Sequence, residues 1–210
     1  GAVLARLDPE TRVLDIGIGT ATALLAHKPE LTAKRVKVVG IDYEAAYIKA
    51  AAVAVERQGL GEHVAVRCCS VYDDLTPLRG ILPGGTAGNS HPLFDCAYFS
   101  GSISLMPDPP GALAAAARLV KPGGKIYVTQ TYQRRSFPGL SFVKPLLKYL
   151  TTIDFGQLTY EADIMRIFSE SKLKIEEHRP IPGSIDSALQ VATLSILSVP
   201  ENPTGTRRLR

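Results

Sequence analysis

The segment Val13 to Thr20, which reads VLDIGIGT, constrains the fold more than any other part of the chain. Its first half, apolar apart from Asp15, is typical of a buried strand. Gly17 and Gly19 then permit a tight turn and a close approach of the backbone to a bound molecule. A helical pattern follows, and the start of a helix offers free N–H groups to a ligand. The segment therefore predicts a strand, a turn and a helix in succession.

The same alternation of strand and helix patterns continues along the chain. Short apolar runs predict strands, and the longer patterns between them predict helices, which together favour a parallel α/β fold. Near-continuous apolar character in the strands is typical of a sheet that is buried on both faces. The predicted strands are 12–16, 36–41, 64–69, 94–100, 125–131, 173–178 and 188–198, and the predicted helices are 20–27, 44–58, 111–120 and 160–171.

Length and composition fit one globular domain. The chain has 210 residues, of which 45% are hydrophobic and 21% charged, so that it can bury a sizeable core. No apolar run reaches the roughly 18 residues that suggest a membrane span. We expect a single domain over residues 1–198 and a flexible tail over 199–210, where proline, glycine and arginine are frequent.

The three cysteines and four histidines bear on metal binding and location. Cys68 and Cys69 are adjacent in a predicted strand, so they point to opposite faces, and Cys96 lies in another strand. No CxxC pair is present and the histidines are scattered, so we expect structural thiols and no metal site. Reduced cysteines indicate a cytoplasmic protein. Because the chain starts at Gly1 rather than Met, a trimmed organellar leader stays open.

Two acidic residues near the predicted turn bear on the ligand. Asp15 would repel a pyrophosphate but could hold a cationic amino group. Asp42, at the end of the second predicted strand, could accept hydrogen bonds from both ribose hydroxyls of a nucleoside. Tyr43 beside it could pack on an adenine or be an ordinary core or surface tyrosine. Because S-adenosylmethionine carries an ammonium and a sulfonium and no phosphate, Asp15 favours this methyl donor over NAD.

Four segments resemble class I, Rossmann-like S-adenosylmethionine-dependent methyltransferases of the small-molecule type. Residues 13–26 are similar to their E/D-x-G-x-G-x-G motif, and 40–43 (GIDY) look like their second element. Residues 94–100 are similar to their fourth strand, and 119–125 (LVKPGGK) match their L-K-P-G-G turn. The segments occur in the family's order. The resemblance implies an α/β three-layer sandwich with a seven-stranded, mostly parallel sheet whose last strand is antiparallel.

The resemblance also implies a site for S-adenosylmethionine at the ends of strands one and four. The chain departs from the family pattern at Ala21, which replaces the third glycine, and at Ser70, where the family often has an aspartate near the adenine. A serine oxygen can still accept that hydrogen bond, and the Val71 N–H could meet a ring nitrogen. The implied cofactor-binding residues are Asp15, Gly17, Gly19, Thr20, Asp42, Tyr43, Ser70, Val71 and Ser100.

Methyl transfer is an in-line displacement from a sulfonium, so the enzyme must mainly align the two reactants and exclude water. A dedicated base is needed only when the acceptor must lose a proton. The family accordingly has no universal catalytic residue, and we assign none. We predict that Ser102, just past strand four, and Tyr132, just past strand five, bind the acceptor.

The distribution of charge leaves the acceptor partly open. The net charge is +4, and residues 109–153 contain seven basic and no acidic residues. This stretch indicates a solvated basic face or an attraction to an acidic partner. Residues 134–150 have apolar side chains at helical spacing, which suits a core-covering helix, a lid over an apolar acceptor or peripheral membrane contact. We expect a small, hydrophobic acceptor and no nucleic acid.

Two other functions stay open at this point. An aminopropyltransferase would use decarboxylated S-adenosylmethionine, but such sites hold a polyamine with an acidic cluster, which the basic stretch 109–153 does not supply. A non-catalytic methyltransferase-like module could bind RNA or a protein partner through the same stretch. Asp15 and Asp42 count against such a module, because an inactive site need not keep them.

Overall fold

A seven-stranded sheet organises the residues that the computed structural model describes, which are 1–81, 94–134 and 160–201. The helices are short and lie between the strands in sequence. The strands are β1 (Arg12–Ile16), β2 (Lys37–Asp42), β3 (Val64–Cys68), β4 (Phe94–Ser100), β5 (Val120–Gln133), β6 (Lys174–Pro180) and β7 (Gln190–Ser198). The helices are α1 (Thr22–Leu25), α2 (Lys28–Ala33), α3 (Ala45–Arg57), α4 (Pro109–Leu119) and α5 (Glu161–Ser171).

The strand order is β3-β2-β1-β4-β5-β7-β6. The first five strands pair in parallel, whereas β7 lies antiparallel to both of its neighbours, β5 and β6. The predicted sheet with an antiparallel last strand is therefore confirmed. The order reverses between β1 and β4, and such a reversal opens a crevice at the carboxyl ends of these strands, where α/β proteins bind ligands.

The segment before β5 differs from its predicted form. The sequence predicted a turn over Lys121–Gly124 and then a strand, but the strand already begins at Val120 and the four residues bulge out of it. Gly123 has a φ of +75°, which favours glycine. A Cβ on Gly124 would lie 2.6 Å from the carbonyl oxygen of Asp95. The two glycines are thus explained by the backbone path rather than by a ligand.

The helix predicted over residues 20–27 is replaced by two short helices, α1 and α2. Ala21, at the position of the third motif glycine, has a φ of +61° and precedes α1, so the turn ends later than predicted. Pro29 lies in the first turn of α2. A proline fits there because first-turn N–H groups have no partner within the helix, and it prevents one continuous helix.

Apolar side chains pack on both faces of the sheet. One layer lies under α4 and α5 and includes Leu14, Ile16, Phe99, Leu113 and Phe168. The other lies under α1 to α3 and the N-terminal segment and includes Val13, Leu25, Leu31, Val38 and Val55. Successive residues of a strand face opposite sides, so Asp15, two residues after Val13, shares the face of Val13. None of the helices in the described part of the chain combines the length and apolar character that a membrane crossing requires.

The N-terminal segment is fixed on the second face by two basic side chains. The Lys34 ammonium donates to three carbonyl oxygens, those of Leu4, Ala5 and Leu7, at 2.8, 3.1 and 2.6 Å. The Arg6 guanidinium binds both carboxylate oxygens of Glu177 at 2.9 and 3.1 Å. These bonds hold the N-terminal segment in place on this face of the sheet.

Asp95, at the amino end of β4, joins three parts of the fold. Its carboxylate accepts hydrogen bonds from the Arg12 backbone N–H at 2.8 Å and from the Arg12 guanidinium, and it pairs with Lys121 at 3.0 Å. Burial opposes ionisation of this carboxyl, but the hydrogen bonds from Arg12 and Lys121 outweigh it and lower the pKa of Asp95 to about 2. The carboxylate therefore ties β1 to β4 and to the bulge in β5.

Candidate functional site

The glycine turn after β1 is bound to β2. The N–H groups of Gly17 and Ile18 both donate to the carbonyl oxygen of Ile41, at 2.8 and 3.1 Å. Gly17 and Gly19 have φ values of +75° and +57°, a region that favours glycine. A Cβ on Gly17 would also lie 2.5 Å from the Cβ of Ser102. Both the conformation and the close packing of the turn therefore require glycine at position 17.

Ser102 supports this turn rather than facing the crevice. Its side chain is buried, and its hydroxyl donates to the carbonyl oxygen of Ile16 at 2.5 Å. The predicted contact between Ser102 and an acceptor would require this hydroxyl to leave its partner. The structure thus gives Ser102 a role in holding β1 and the loop after β4 together.

Asp42 binds the turn from the end of β2. One carboxylate oxygen accepts a hydrogen bond from the Gly19 N–H and the other from the Glu44 N–H, both at 3.0 Å. An ionised carboxylate has about four acceptor positions, so about two stay available for ligand hydroxyls. The side chain lies at the edge of the crevice, with 9% of its surface exposed. Its position fits the predicted contact with a ribose.

Asp15 is the most unusual polar group of the crevice. It is 3% exposed, and its Oδ1 has no hydrogen-bond partner within the described residues. Burial and the nearby charge of Asp42 raise the pKa of Asp15 to about 7. A buried polar atom without a partner is costly, and such atoms are rare in native proteins. A cationic ligand beside Asp15 would remove this cost.

A cavity of about 220 Å³ lies beside Asp15, between the N-terminal segment, α1 and the sheet. The predicted site residues Asp15, Gly17 and Ser100 line it, together with His27 and Tyr98. The sequence motifs singled out neither His27 nor Tyr98. Tyr98 could have been found from strand alternation, because it precedes Ser100 by two residues and so faces the same side. The spatial position of His27 depends on the break between α1 and α2, which the sequence did not predict.

The residues predicted to surround an adenine lie at the carboxyl ends of β2 and β3. Tyr43 is 78% exposed, so its ring is available to a ligand. Ser70 accepts a hydrogen bond from the Tyr72 N–H at 3.2 Å and keeps its own hydroxyl hydrogen free within the described residues. Val71 is buried among apolar side chains, and Thr20 is exposed beside the glycine turn. The structure thus brings these side chains to one edge of the sheet.

The Tyr72 hydroxyl connects two loops of this edge. It donates to the carbonyl oxygen of Asp108 at 2.8 Å and accepts from the N–H of the same residue at 3.0 Å. Asp108 in turn begins α4, where its carboxylate accepts a hydrogen bond from the Gly111 N–H at 3.1 Å. The loops after β3 and β4 are therefore held at a fixed separation.

Tyr132 lies away from the crevice. It is fully buried in the layer under α5, where its hydroxyl lies beside those of Thr193 and Ser195 without a well-oriented hydrogen bond. The predicted acceptor contact assumed that the fifth strand ends at Thr131. The strand continues to Gln133, so the side chain of Tyr132 points into the apolar layer under the sheet.

Three of the four basic side chains that the structure describes in the stretch 109–153 form ion pairs with acidic residues outside it. Lys121 pairs with Asp95, Lys125 with Glu176 and Arg134 with Asp186. The segment 134–150, predicted to contact an acceptor or a membrane, lies outside the described residues apart from Arg134. Among the residues whose positions are described, no three His, Cys, Asp or Glu side chains gather into a group that could hold a metal ion.

Comparisons with known proteins agree with this geometry. Phosphatidylethanolamine N-methyltransferase of Cereibacter sphaeroides is 26% identical over 180 residues, which are 85% of this chain and 78% of that protein. Nocamycin O-methyltransferase of Saccharothrix syringae is 34% identical over 121 residues, 58% of this chain and 38% of that protein. A geranyl diphosphate methyltransferase solved in complex with S-adenosylmethionine has a TM-score of 0.64 at 14% identity, covering 93% of this chain and 81% of the other. The last similarity shows the shared fold.

A family model described as a methyltransferase domain matches residues 2–175. The match covers well over half of the chain and includes the glycine turn, Asp42 and the whole of β4 and β5. The chain therefore belongs to the methyltransferase-domain family and is an S-adenosylmethionine-dependent methyltransferase.

Proposed function

We propose that the crevice between β1 and β4 binds S-adenosylmethionine through the residues predicted from the sequence. They are Asp15, Gly17, Gly19, Thr20, Asp42, Tyr43, Ser70, Val71 and Ser100. The buried Oδ1 of Asp15, which has no partner in the part of the chain that the structure describes, carries this proposal, because the ammonium of the methyl donor would supply a partner. When bound there, S-adenosylmethionine supplies a methyl group on an electrophilic sulfonium.

In this proposal, different residues of the crevice bind different parts of S-adenosylmethionine. Asp15 pairs with the ammonium, and Gly17 lets the ligand approach the backbone. Asp42 accepts hydrogen bonds from the ribose hydroxyls with the acceptor positions that Gly19 and Glu44 leave available. The exposed ring of Tyr43 packs on the adenine, where an aromatic contact contributes about 1 kcal/mol.

Catalysis, in this proposal, comes from alignment. Ser102 fixes the glycine turn through its contacts with Ile16 and Gly17, and Tyr72 fixes the loops after β3 and β4. A crevice with fixed walls holds the reacting groups in line and loses little entropy in the transition state. We assign no general base, which is needed only when the acceptor must lose a proton before or during the transfer.

The proposed acceptor is a small molecule with an apolar body. Two relatives support this class: they are named for methyl transfer to phosphatidylethanolamine and to nocamycin. Ion pairs at Lys121, Lys125 and Arg134 reduce the positive charge that a nucleic acid would require. A cytoplasmic location is also part of the proposal, and it is supported by cysteines that are free in the structure.

Transfer of a labelled methyl group tests the acceptor class. The protein is incubated with labelled S-adenosylmethionine and one apolar acceptor at a time. The apolar acceptors are phosphatidylethanolamine in vesicles, a quinol and a sterol. Glycine and a short RNA serve as polar acceptors, and D15N serves as the control that cannot hold the methyl donor. We expect labelled product and S-adenosylhomocysteine with at least one apolar acceptor and with neither polar one. Methylation of glycine or RNA alone would contradict the proposal.

A further inference from the structure

Four polar side chains form a group between α5 and the sheet. The His178 ring, on β6, contacts a Glu161 carboxylate oxygen with its Nε2 at 3.1 Å and the Ser195 Oγ with its Nδ1 at 2.8 Å. The Tyr132 ring lies beside it, with the ring centroids 6.1 Å apart. Ser195 and Tyr132 are fully buried, whereas 58% of the Glu161 side chain is exposed. The group therefore runs from the apolar layer under α5 to the surface.

The two contacts of His178 restrict where its hydrogens can lie. A carboxylate only accepts hydrogen bonds, so Nε2 carries a hydrogen and donates it to Glu161. In a neutral ring, Nδ1 is then an acceptor and receives the Ser195 hydroxyl hydrogen. In a protonated ring, the Nδ1–H donates to Ser195 instead. The Ser195 hydrogen can then turn toward the Tyr132 hydroxyl, which has no well-oriented partner in the described part of the chain. Both protonation states of His178 therefore fit the same arrangement of side chains.

Glu161 is the charged partner of His178. Its carboxylate lies in the first turn of α5, where the positive end of the helix dipole favours the ionised form. The strand neighbours of His178, Glu177 and Arg179, point to the other face of the sheet and pair with each other. β5 and β7 present hydroxyl groups to the ring. A protonated ring therefore forms an ion pair with Glu161, whereas a neutral ring keeps only a hydrogen bond to it.

The residue before Glu161 borders the crevice. Tyr160 forms a parallel bridge with Gln133, the last residue of β5. β7 occupies one side of β5 at Gln133, and β4 pairs with the other side only as far as Ser100. Tyr160 therefore lies beyond the end of β4, at the carboxyl edge of the sheet where the crevice opens. By holding the start of α5 on the sheet, the contact between Glu161 and His178 helps to fix this edge.

We propose that Glu161 and His178 form a proton-sensitive latch between α5 and the sheet, which holds more tightly when His178 is protonated. Histidine changes its charge between about pH 5 and pH 8, a range in which an exposed glutamate stays ionised. The ion pair is present at the lower end of this range and is lost as the pH rises through it. The first turn of α5 should therefore leave the sheet more often at about pH 8 than at about pH 6. His178 and Glu161 act as positioning residues for the edge of the crevice.

Hydrogen exchange of the whole protein, read by mass spectrometry at about pH 6 and about pH 8, tests the latch. The measured quantity is the opening equilibrium of the α5 amides, after correction for the chemical exchange rate at each pH. E161Q removes the charged partner of His178. D163N is the matched control, because Asp163 lies in the same turn of α5 but pairs with Arg166. H178Q is a second test variant, since its side chain cannot change its charge.

The amides of α3 serve as the internal reference, because Asp15 also titrates in this range and changes the stability of the whole fold. Relative to α3, the α5 amides of the unmodified protein should open about threefold more often at the higher pH, as expected for a partly exposed ion pair. D163N should keep this ratio. E161Q and H178Q should reduce the ratio to about one.

A merely structural role of Glu161 would increase opening at both pH values and leave the ratio in E161Q unchanged, which would overturn the proposal. A ratio near one in the unmodified protein would also overturn it, and so would a D163N variant that lowers the ratio as much as E161Q does. The measurement needs no methyl donor, so its outcome is independent of the proposed binding site.

Discussion

Asp15 and Asp95 lie on the neighbouring strands β1 and β4, but at opposite ends of the sheet. Asp15 is buried, and the Asp95 side chain is partly buried, with 22% of its surface exposed. Asp95 meets Arg12 and Lys121, which lower its pKa to about 2. Asp15 meets no such cation within residues 1–81, 94–134 and 160–201, and burial together with Asp42 raises its pKa to about 7. The same residue type therefore stabilises the fold at the amino end of the sheet and weakens it at the carboxyl end.

The contrast between Asp15 and Asp95 shows how a carboxylate that binds a ligand differs from one that stabilises the fold. A carboxylate that already had a lysine or arginine partner would gain little from an ammonium in a ligand. Among the described residues Asp15 has no such partner, so its carboxylate is left to pair with a cationic ligand. Stability comes from elsewhere, in part from the Asp95 cluster on the next strand.

The largest expected effect is that of D15N. The change keeps the shape of the side chain and removes its charge, so affinity for S-adenosylmethionine should fall by about a hundredfold or more. The same variant without ligand should be more stable than the unmodified protein by roughly 2 to 4 kcal/mol at about pH 8, because a buried charge is gone. Titration calorimetry and urea unfolding measure the two effects. Unchanged affinity would show that the ammonium binds elsewhere.

D95N should have the opposite consequences. Removing the charge leaves the Arg12 and Lys121 cations without their partner, which should lower the free energy of unfolding by about 1 to 2 kcal/mol at neutral pH. The folded-state pKa of Asp95 lies below its ordinary value, so its contribution is present above about pH 4 and fades as the pH falls toward 2. Urea unfolding at several pH values measures this. A loss of affinity for the methyl donor in D95N would contradict the proposal that Asp95 stabilises the fold and that ligand binding depends on Asp15.

The smallest expected effect is a pH dependence of methyl donor binding. Only ionised Asp15 pairs with an ammonium, and its pKa without ligand is about 7. Affinity should therefore rise by about tenfold between about pH 6 and pH 8 and then level off, with up to one proton released per ligand at the lower pH. Calorimetry in buffers of different ionisation enthalpy counts the protons. D15N should show no such rise, and a rise that persists in D15N would assign the proton to another group.

The parts of the fold that follow from local pattern were predictable. The bounds of β1 and β4 are those expected from their apolar runs, and the glycine turn lies where the motif placed it. The antiparallel β7 was known only through the family resemblance. The position of Asp42 beside the turn also agrees with its place at the end of a strand. The binding roles of the crevice residues remain predictions.

The features that were not predictable depend on partners far away in the sequence. Ser102 binds the carbonyl of Ile16, 86 positions earlier, and no local pattern predicts such a bond. Tyr132 is buried because β5 continues to Gln133 in order to pair with Gln190 of β7. Where a strand ends is decided by its neighbours in the sheet, and the end of the strand decides which side chains reach the crevice.

The insertion of β7 between β5 and β6 also affects how the protein is made. Every segment of the proposed donor site lies before β5 ends, so those residues leave the ribosome well before the last strand does. Until β7 follows, one side of β5 has unpaired N–H and C=O groups over up to fourteen residues, Val120–Gln133. Such an edge readily pairs with other chains. During synthesis, the residues of the proposed ligand site are therefore complete before β7 covers the edge of β5 that could otherwise pair with other chains.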